Sequence, residues 1–149
     1  MTGAIQIRPV GEDEREAWNP LWAGYLAFYK TELAADTSDL TWMRFHDPVE
    51  PMFALGGYVD GNLAGFAHYL FHRSTWAPHR YCYLEDLFVA ETARGRGLGR
   101  ALIEAVYDKA RAAGCSRVYW QTHETNAVAQ VLYNTVAERS GFIVYRKQL

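Results

Sequence analysis

Cysteine is scarce, with two in 149 residues. Cys82 and Cys115 show no metal-ligand spacing, which argues against a cysteine metal site or a disulfide framework. Two free thiols in a reducing cytoplasm are expected. The histidines His46, His68, His72, His79 and His123 are scattered, without the i,i+4 pair of a helical zinc site, so no metal is expected. Charge of one sign is also lacking. The net charge is -2 and no basic face or tail stands out, so a nucleic-acid partner is not expected. No apolar run approaches a membrane span and no leader pattern opens the chain, so a soluble, cytoplasmic protein without a membrane partner is expected. Ser38, Ser74 and Ser140 lack the nucleophile-elbow context, which removes support for covalent hydrolase chemistry. No repeat, linker or low-complexity stretch divides the chain, so residues 1–149 are read as one domain.

What is present is apolar and aromatic: 50% of residues are hydrophobic and 15% aromatic, enough for a packed core. The organising stretch is Leu84-Glu85-Asp86-Leu87-Phe88-Val89, followed by Arg94-Gly95-Arg96-Gly97-Leu98-Gly99-Arg100. It reads as strand, glycine-rich turn, helix. Glycines at alternate positions leave the turn bare of Cβ atoms, so successive N–H groups can form a nest at the positive end of a helix. Such a nest suits a phosphate or pyrophosphate, and Arg94, Arg96 and Arg100 add positive charge. The Gly-Lys-Ser/Thr of a nucleotide-triphosphatase loop is missing, and the third glycine of a dinucleotide fingerprint is replaced by Arg100. A glycine-rich helix entry without a ligand is the alternative.

Along the chain, Ile5 to Arg8 reads as a first strand ending at Pro9. Glu12 to Leu33 reads as helix with a break or second start at Pro20, carrying an aromatic stripe of Trp22, Leu26 and Phe28 or Tyr29. Core packing is the expected use of that stripe. Thr41 to His46 reads as a short helix. Phe53 to Val59 and Leu63 to Leu70 flank Asp60-Gly61 as a hairpin, with a bulge at Gly56-Gly57. Tyr81 to Val89 is a central strand, apolar except for Glu85 and Asp86. Carboxylates there need a partner, water or a job, and alternation puts the two on opposite faces. A striped helix follows to Gly114, then a strand over Arg117 to Gln121. Asn126 is placed as the N-cap of a helix with Val128, Leu132 and Val136 inward. Phe142 to Tyr145 reads as a last short strand. This order predicts an α/β fold, a mixed sheet with helices on both faces.

The spacing Arg94-x-x-Gly97-x-Gly99 resembles the acyl-CoA pyrophosphate loop of the GCN5-related N-acetyltransferase superfamily. Asn126-x-x-Ala129-x-x-Leu132-Tyr133 resembles that family's cofactor-side helix, and Ser140-Gly141-Phe142 its closing strand. The match spans residues 81 to 145. The tryptophan-rich first helix and Val118-Tyr119-Trp120-Gln121-Thr122 look most like the branch around the yeast histone and polyamine acetyltransferase homologues. The resemblance implies acetyl-CoA as cosubstrate and an amine acceptor, either a small cationic amine such as a polyamine or a protein lysine. It implies that Leu87, Phe88 and Val89 meet the pantetheine arm, with the Leu87 N–H facing the thioester carbonyl. Arg94, Gly95, Arg96, Gly97, Leu98, Gly99 and Arg100 would hold the pyrophosphate, and Asn126 would bond the arm. The first helices would wall the acceptor pocket with Tyr25, Phe28, Tyr29 or Trp42. Family members end in a two-strand hairpin, whereas room for one strand is seen here. The edge so left is short, covered or paired with another chain, and a homodimer is the expectation.

Acyl transfer to an amine needs a base, a stabilised oxyanion and a proton for the thiolate. Neutralising an alkylammonium of pKa about 10.4 at pH 7 costs roughly 4–5 kcal/mol. Glu85 matches the glutamate of the polyamine enzymes and is the candidate base. Asp86, His68, His72, His123 or water are alternatives. Tyr133, on one helix face with Asn126, is the candidate acid for the departing sulfur. The acidic residues Glu32, Asp36, Asp39, Asp47 and Glu50 form either a solvated surface or a lure for a cationic acceptor. A non-catalytic acyl-CoA-binding or sensing module is the rival reading from another class, and a general nucleotide binder a further one.

Overall fold

Asp60 and Gly61 both have positive φ, +52° and +82°, the backbone that a tight hairpin demands. They join β2 (Met52–Val59) to β3 (Asn62–His72). The computed structural model describes residues 3–149. Around this hairpin the sheet grows in the order β1-β2-β3-β4-β5. The edge strand β1 (Ile5–Pro9) lies antiparallel to β2, and β4 (Tyr81–Val89) antiparallel to β3. Only β5 (Arg117–Tyr119) runs parallel, and it pairs with β4 at three positions. The expected bulge in β2 is present as a register shift between Gly57 and Tyr58.

Strand alternation sorts the side chains onto two faces. Leu55, Ala67, Cys82 and Leu84 meet one helix, α3 (Leu98–Ala112), through its stripe of Leu98, Leu102, Ile103, Val106 and Ala110. On the other face Ala54 and Phe66 meet Trp18, Leu21, Trp22 and Trp42 of α1 (Arg15–Phe28) and α2 (Ala35–Phe45). Trp18 stacks on Trp22 at 5.3 Å and tilts onto Trp42 at 5.1 Å; of the expected stripe Trp22 is core and Leu26 packs against it, whereas Phe28 and Tyr29 are exposed. Helix α3 closes at Gly114, whose φ of +78° is the left-handed residue a helix end favours. Helix α4 (Ala127–Val136) leans on the α3 side through Leu132 and Val136. Cys82 and Cys115 are free thiols; burial pushes the Cys82 thiol up to about 12.

Four local expectations are corrected. Pro20 does not break α1. It lies on the exposed side, where water can take the carbonyl it leaves unpaired, while Trp18, Leu21 and Trp22 anchor the inner face. Helix α2 begins at Ala35, a turn and a half before the apolar signal. Val128 is 87% exposed rather than inward, because α4 turns Leu132 and Val136 to the core instead. Phe142 to Tyr145 forms no strand and stays exposed, since β-propensity without a ladder partner fixes nothing. Among the described residues no helix is long and apolar enough to cross a membrane.

Glu14 ties the start of α1 to the sheet. It accepts from Arg8 at 2.8 Å, from the Gly11 N–H at 2.9 Å and from the Tyr58 hydroxyl at 2.9 Å. Tyr58 is 1% exposed, so Glu14→Ala leaves a buried hydroxyl and a backbone N–H unpaired. Urea unfolding at pH 7 should show a loss of about 1–3 kcal/mol. The Arg8 guanidinium, bonded to Glu14, holds its carboxyl below the ordinary 4.5. A lowered carboxylate stabilises above its unfolded pKa and stops doing so as pH falls through the folded one. The gap between wild type and Glu14→Ala should therefore narrow in acid below that ordinary value.

Candidate active site

The site begins where two strands part. β4 has nine residues but keeps β5 only from Tyr81 to Tyr83. Beyond Tyr83 its edge has no ladder partner on that side, so backbone groups from Glu85 to Val89 line an open notch. Just past β5 the Thr122 hydroxyl is buried without a partner. At the far end of the notch the chain turns through Gly95 and Gly97, both at φ +79°, into α3. Gly97 is the N-cap, no side chain caps the helix and no acid lies in its first turn. The first N–H groups of α3 are thus left for an outside acceptor. A Cβ built on Gly95 or Gly97 would meet nothing within 4 Å, so the space over the turn is open.

The arginines divide. Arg94 folds back, its Nε donating to the Val89 carbonyl at 3.1 Å. Arg96 is exposed. Arg100, expected at the turn, instead donates to Thr135 Oγ1 at 2.7 Å and reaches Glu104 at 3.5 Å, which links α3 to α4. Asn126 caps α4 as expected, accepting from the Ala129 N–H at 3.4 Å.

A second bulge sits in the middle of β4. His68 faces Asp86 but Tyr69 faces Leu84, so Glu85 is the extra residue. The bulge reverses the alternation. Cys82 and Leu84 before it, and Leu87 and Val89 after it, pack on the α3 side. Asp86 and Phe88 face α1 and α2. Glu85 and Asp86 therefore leave the same face, which corrects the expectation of opposite faces. Burial and then the Asp86 charge push the Glu85 carboxyl above its ordinary value, opposed by hydrogen bonding from Tyr83. A Glu85 so raised is a stronger base than a free carboxylate.

Tyrosines surround the pair. Gly24 lets α1 press on Phe88, for a Cβ there would come within 3.0 Å of the Phe88 ring. That contact brings Tyr25 and Tyr29 over the carboxylates, and burial and then Asp86 raise both their hydroxyls. Opposite, Tyr83 stacks on Tyr119 at 5.0 Å, and the Tyr119 hydroxyl donates to His72 Nε2 at 2.6 Å. Tyr133 of α4 packs edge-on against Trp120 at 5.4 Å. Burial first, with a contribution from Tyr29, pushes its hydroxyl up to about 12, so it stays protonated throughout the neutral range.

Other candidates fall away from this centre. Trp42 is core, 8% exposed. His123 bonds Thr125 and lies on the surface. Asp39 and Glu50 of the acidic cluster pair with Arg15 and Arg44, which favours the solvated-surface reading. Tyr83 and Tyr119 were not among the predicted site residues, and His72 was expected only as an alternative base, not as a partner of Tyr119. The signal for Tyr83 was an aromatic residue next to the anomalous carboxylates. A cavity of about 410 Å³ lies at the opposite end of α3, between Phe45, Phe53, Phe71 and Ala113.

Comparison with known proteins places this arrangement. Residues 11–137 match the family model described as Acetyltransferase (GNAT) family. The chain is 37% identical over 145 residues to D-amino-acid N-acetyltransferase HPA3 of Saccharomyces cerevisiae, covering 96% of this chain and 90% of that protein. It is 34% identical over 96 residues to thialysine N-epsilon-acetyltransferase of Sus scrofa, covering 64% of this chain and 56% of that protein. Among solved structures, ribosomal-protein-alanine N-acetyltransferase from Brucella melitensis biovar Abortus 2308 aligns with a TM-score of 0.83 at 24% identity. That alignment covers 98% of this chain and 100% of the other and supports the fold.

The turn makes its own prediction. A β-branched residue at Gly97 must adopt φ +79°, at a strain of roughly 1–2 kcal/mol. Gly97→Val should unfold at lower urea by that amount. It should also lose affinity for any ligand held over the turn, because the new side chain fills the open space. Calorimetry with acetyl-CoA is the measurement, and unchanged binding would mean that the turn holds nothing.

Proposed function

The chain belongs to the acetyltransferase (GNAT) family and is an N-acetyltransferase, and from that premise we propose that it transfers an acetyl group from acetyl-CoA directly to the primary amine of a small cationic acceptor. The observation that carries this reading is the pair Glu85 and Asp86 on one face of a parted strand, beside an uncapped helix N-terminus. A thioester lying in the notch would meet backbone donors of β4. An ammonium would meet two carboxylates and the tyrosines around them. Relatives named for D-amino acids and for thialysine support a small amine-bearing acceptor over a protein lysine.

In this proposal the pyrophosphate rests on the turn from Arg94 to Arg100. Leu98 and the glycines contribute backbone N–H groups, with Arg94 and Arg96 nearest. Leu87, Phe88 and Val89 align the pantetheine arm, and Asn126 flanks it. The groups present fit such a cosubstrate. Beyond Tyr83 the β4 edge has no ladder partner on the β5 side, which leaves backbone groups there for the arm. Glu85 takes a proton from the acceptor ammonium. The freed amine nitrogen attacks the thioester carbon, and the oxyanion is met by the Leu87 N–H. The intermediate collapses with cleavage of the C–S bond, Tyr133 gives its hydroxyl proton to the departing sulfur, and the second proton of the attacking nitrogen passes through water to the tyrosinate. Amide and free thiol leave, and Glu85 releases its proton to solvent. A module that only senses acyl-CoA would have no use for this acid and base. We place the enzyme in the cytoplasm, where its two thiols stay reduced.

Tyr133→Phe keeps the ring against Trp120 and removes the proton. Its kcat should fall by about 10²–10⁴-fold with little change in acetyl-CoA affinity. Glu85 works only when ionised, so activity falls as pH drops through its pKa, which lies above the ordinary value. Glu85→Gln should lower kcat and erase that acidic limb. Thiol release followed against pH checks both, with a panel of amines identifying the preferred acceptor. Wild-type kcat in Tyr133→Phe, with chemistry rate-limiting, would make the tyrosine structural.

We also infer a homodimer. Phe142, Ile143, Val144 and Tyr145 are 77%, 75%, 69% and 89% exposed, and β5 has one partner strand. An apolar, β-prone segment and an open edge are mutual liabilities that a second copy of the chain removes. Light scattering should give twice the chain mass, and a monomer at high micromolar concentration would refute the pairing.

A further inference from the structure

His68 is the one buried polar residue among the described core positions, 3% exposed. It lies in an aromatic box. Phe66 stacks on it at 4.1 Å and 4°, and the Phe45 ring stands at 4.5 Å. Both ring nitrogens are engaged. Trp18 Nε1 donates to Nε2 at 3.1 Å, and Nδ1 stands 2.9 Å from Asp86 Oδ2. An indole nitrogen can only donate, so Nε2 must present its lone pair. The proton is then on Nδ1 and points to Asp86. A doubly protonated ring would set two donors face to face at Trp18. Burial acts the same way, lowering the His68 pKa against the pull of Asp86. The pair at Asp86 is therefore a hydrogen bond from a neutral ring, and the carboxylate keeps its full charge.

We propose that His68 is a positioning residue of the acceptor site: pinned by Trp18, its neutral imidazole holds the Asp86 carboxylate in place and uncompensated, so that the charge is available to the acceptor ammonium. This rests on the acetyl-transfer reading above. The titratable groups that face Asp86 are consistent with it. Tyr25 and Tyr29 come from α1, Glu85 and Tyr83 from β4, and Tyr119 lies on β5 beyond Tyr83. From α4, Tyr133 stands near Tyr29, and α2 packs the uncharged rings of Trp42 and Phe45 against Trp18 and His68. None of these is a cation. Arg15, the nearest arginine on α1, lies over the Trp18 ring and is spent on Asp39 at 2.7 Å. An arginine or imidazolium beside Asp86 would cancel the charge that a cationic acceptor needs. A neutral donor orients the carboxylate without cancelling it.

The test separates position from packing. His68→Phe keeps a ring in the box but offers no donor to Asp86. His68→Asn places an amide near the site of Nδ1, and His68→Gln places one near Nε2, where it serves Trp18 only. With the assembled enzyme, His68→Phe and His68→Gln should raise the acceptor KM by roughly 10- to 100-fold, the range for losing one hydrogen bond to a charged group. Acetyl-CoA KM should not move, and His68→Asn should restore most of the acceptor KM. Should His68→Phe not fold, the Asn and Gln pair decides alone. Equal acceptor KM in Asn and Gln, or wild-type KM in a folded His68→Phe, overturns the proposal. Nitrogen-15 NMR of the wild-type ring should show the neutral Nδ1–H tautomer through the range where free histidine titrates. An imidazolium or an Nε2–H tautomer overturns it as well. That arm needs no activity, so it fails separately from the acetyl-transfer reading, which falls if the wild-type protein acetylates no amine.

Discussion

The parting of β4 from β5 is the constraint on which the rest depends. A buried strand edge without partners is normally unstable, because each unpaired N–H or carbonyl loses its water without a replacement. Here that edge persists over half of β4. Its residues are only partly buried, and the sheet on the other side is held by the long β2–β3–β4 ladders. Two separate cores brace the strand. Helix α3 grips Leu84, Leu87 and Val89 from one side, and the tryptophan cluster of α1 and α2 grips Phe88 from the other. The notch is a place where pairing has been given up between two well-packed layers.

The bulge at Glu85 is the second half of the same device. In a regular strand one of two successive carboxylates would be driven into the α3 core, where Leu102, Ile103 and Val106 are fully buried and offer no partner. Desolvating a lone carboxylate there would cost several kcal/mol. One extra residue turns both onto the polar, tyrosine-lined face. The same bulge sets Asp86 opposite His68, so the geometry that rescues the strand also supplies the carboxylate with its buried donor.

Much of this was legible from residues. The Asp60-Gly61 hairpin, the β4 span, the α3 stripe ending at Gly114 and the Asn126 cap are local signals, and each arises from short-range physics: φ sign, period and capping. The mixed sheet followed from their order. The anomalous acids of β4 marked the candidate site. What escaped was non-local. The bulge depends on how His68 and Tyr69 meet β4, and no alternation rule within β4 reports that. Arg100 was read as part of the anion turn because its neighbours in sequence are glycines, and its hydrogen bond to Thr135 on a different helix could not be read there. Phe142 to Tyr145 has the composition of a strand, but a strand is a property of two segments, and its partner is absent from its own sheet. Pro20 was given its usual meaning, which the burial of Trp18, Leu21 and Trp22 overrides.

Desolvation acts on both groups, on Tyr133 at a partly buried position of α4 and, more weakly, on Glu85 at the solvent-exposed bulge of β4. Dry surroundings disfavour whichever form is charged. For Tyr133 that form is the phenolate, so burial keeps the hydroxyl protonated, with its pKa pushed up to about 12. For Glu85 the charged form is the carboxylate, and burial with the adjacent Asp86 charge makes it hold a proton more tightly. In the proposed mechanism one shift would preserve an acid and the other would strengthen a base. The arrangement has a limit set by Asp86. Without the Asp86 charge, Glu85 would lose the neighbour that raises it and, in the proposed reading, the acceptor would lose an anion. That coupling is why a donor that is neutral and immobile, rather than a cation, is the group that suits Asp86.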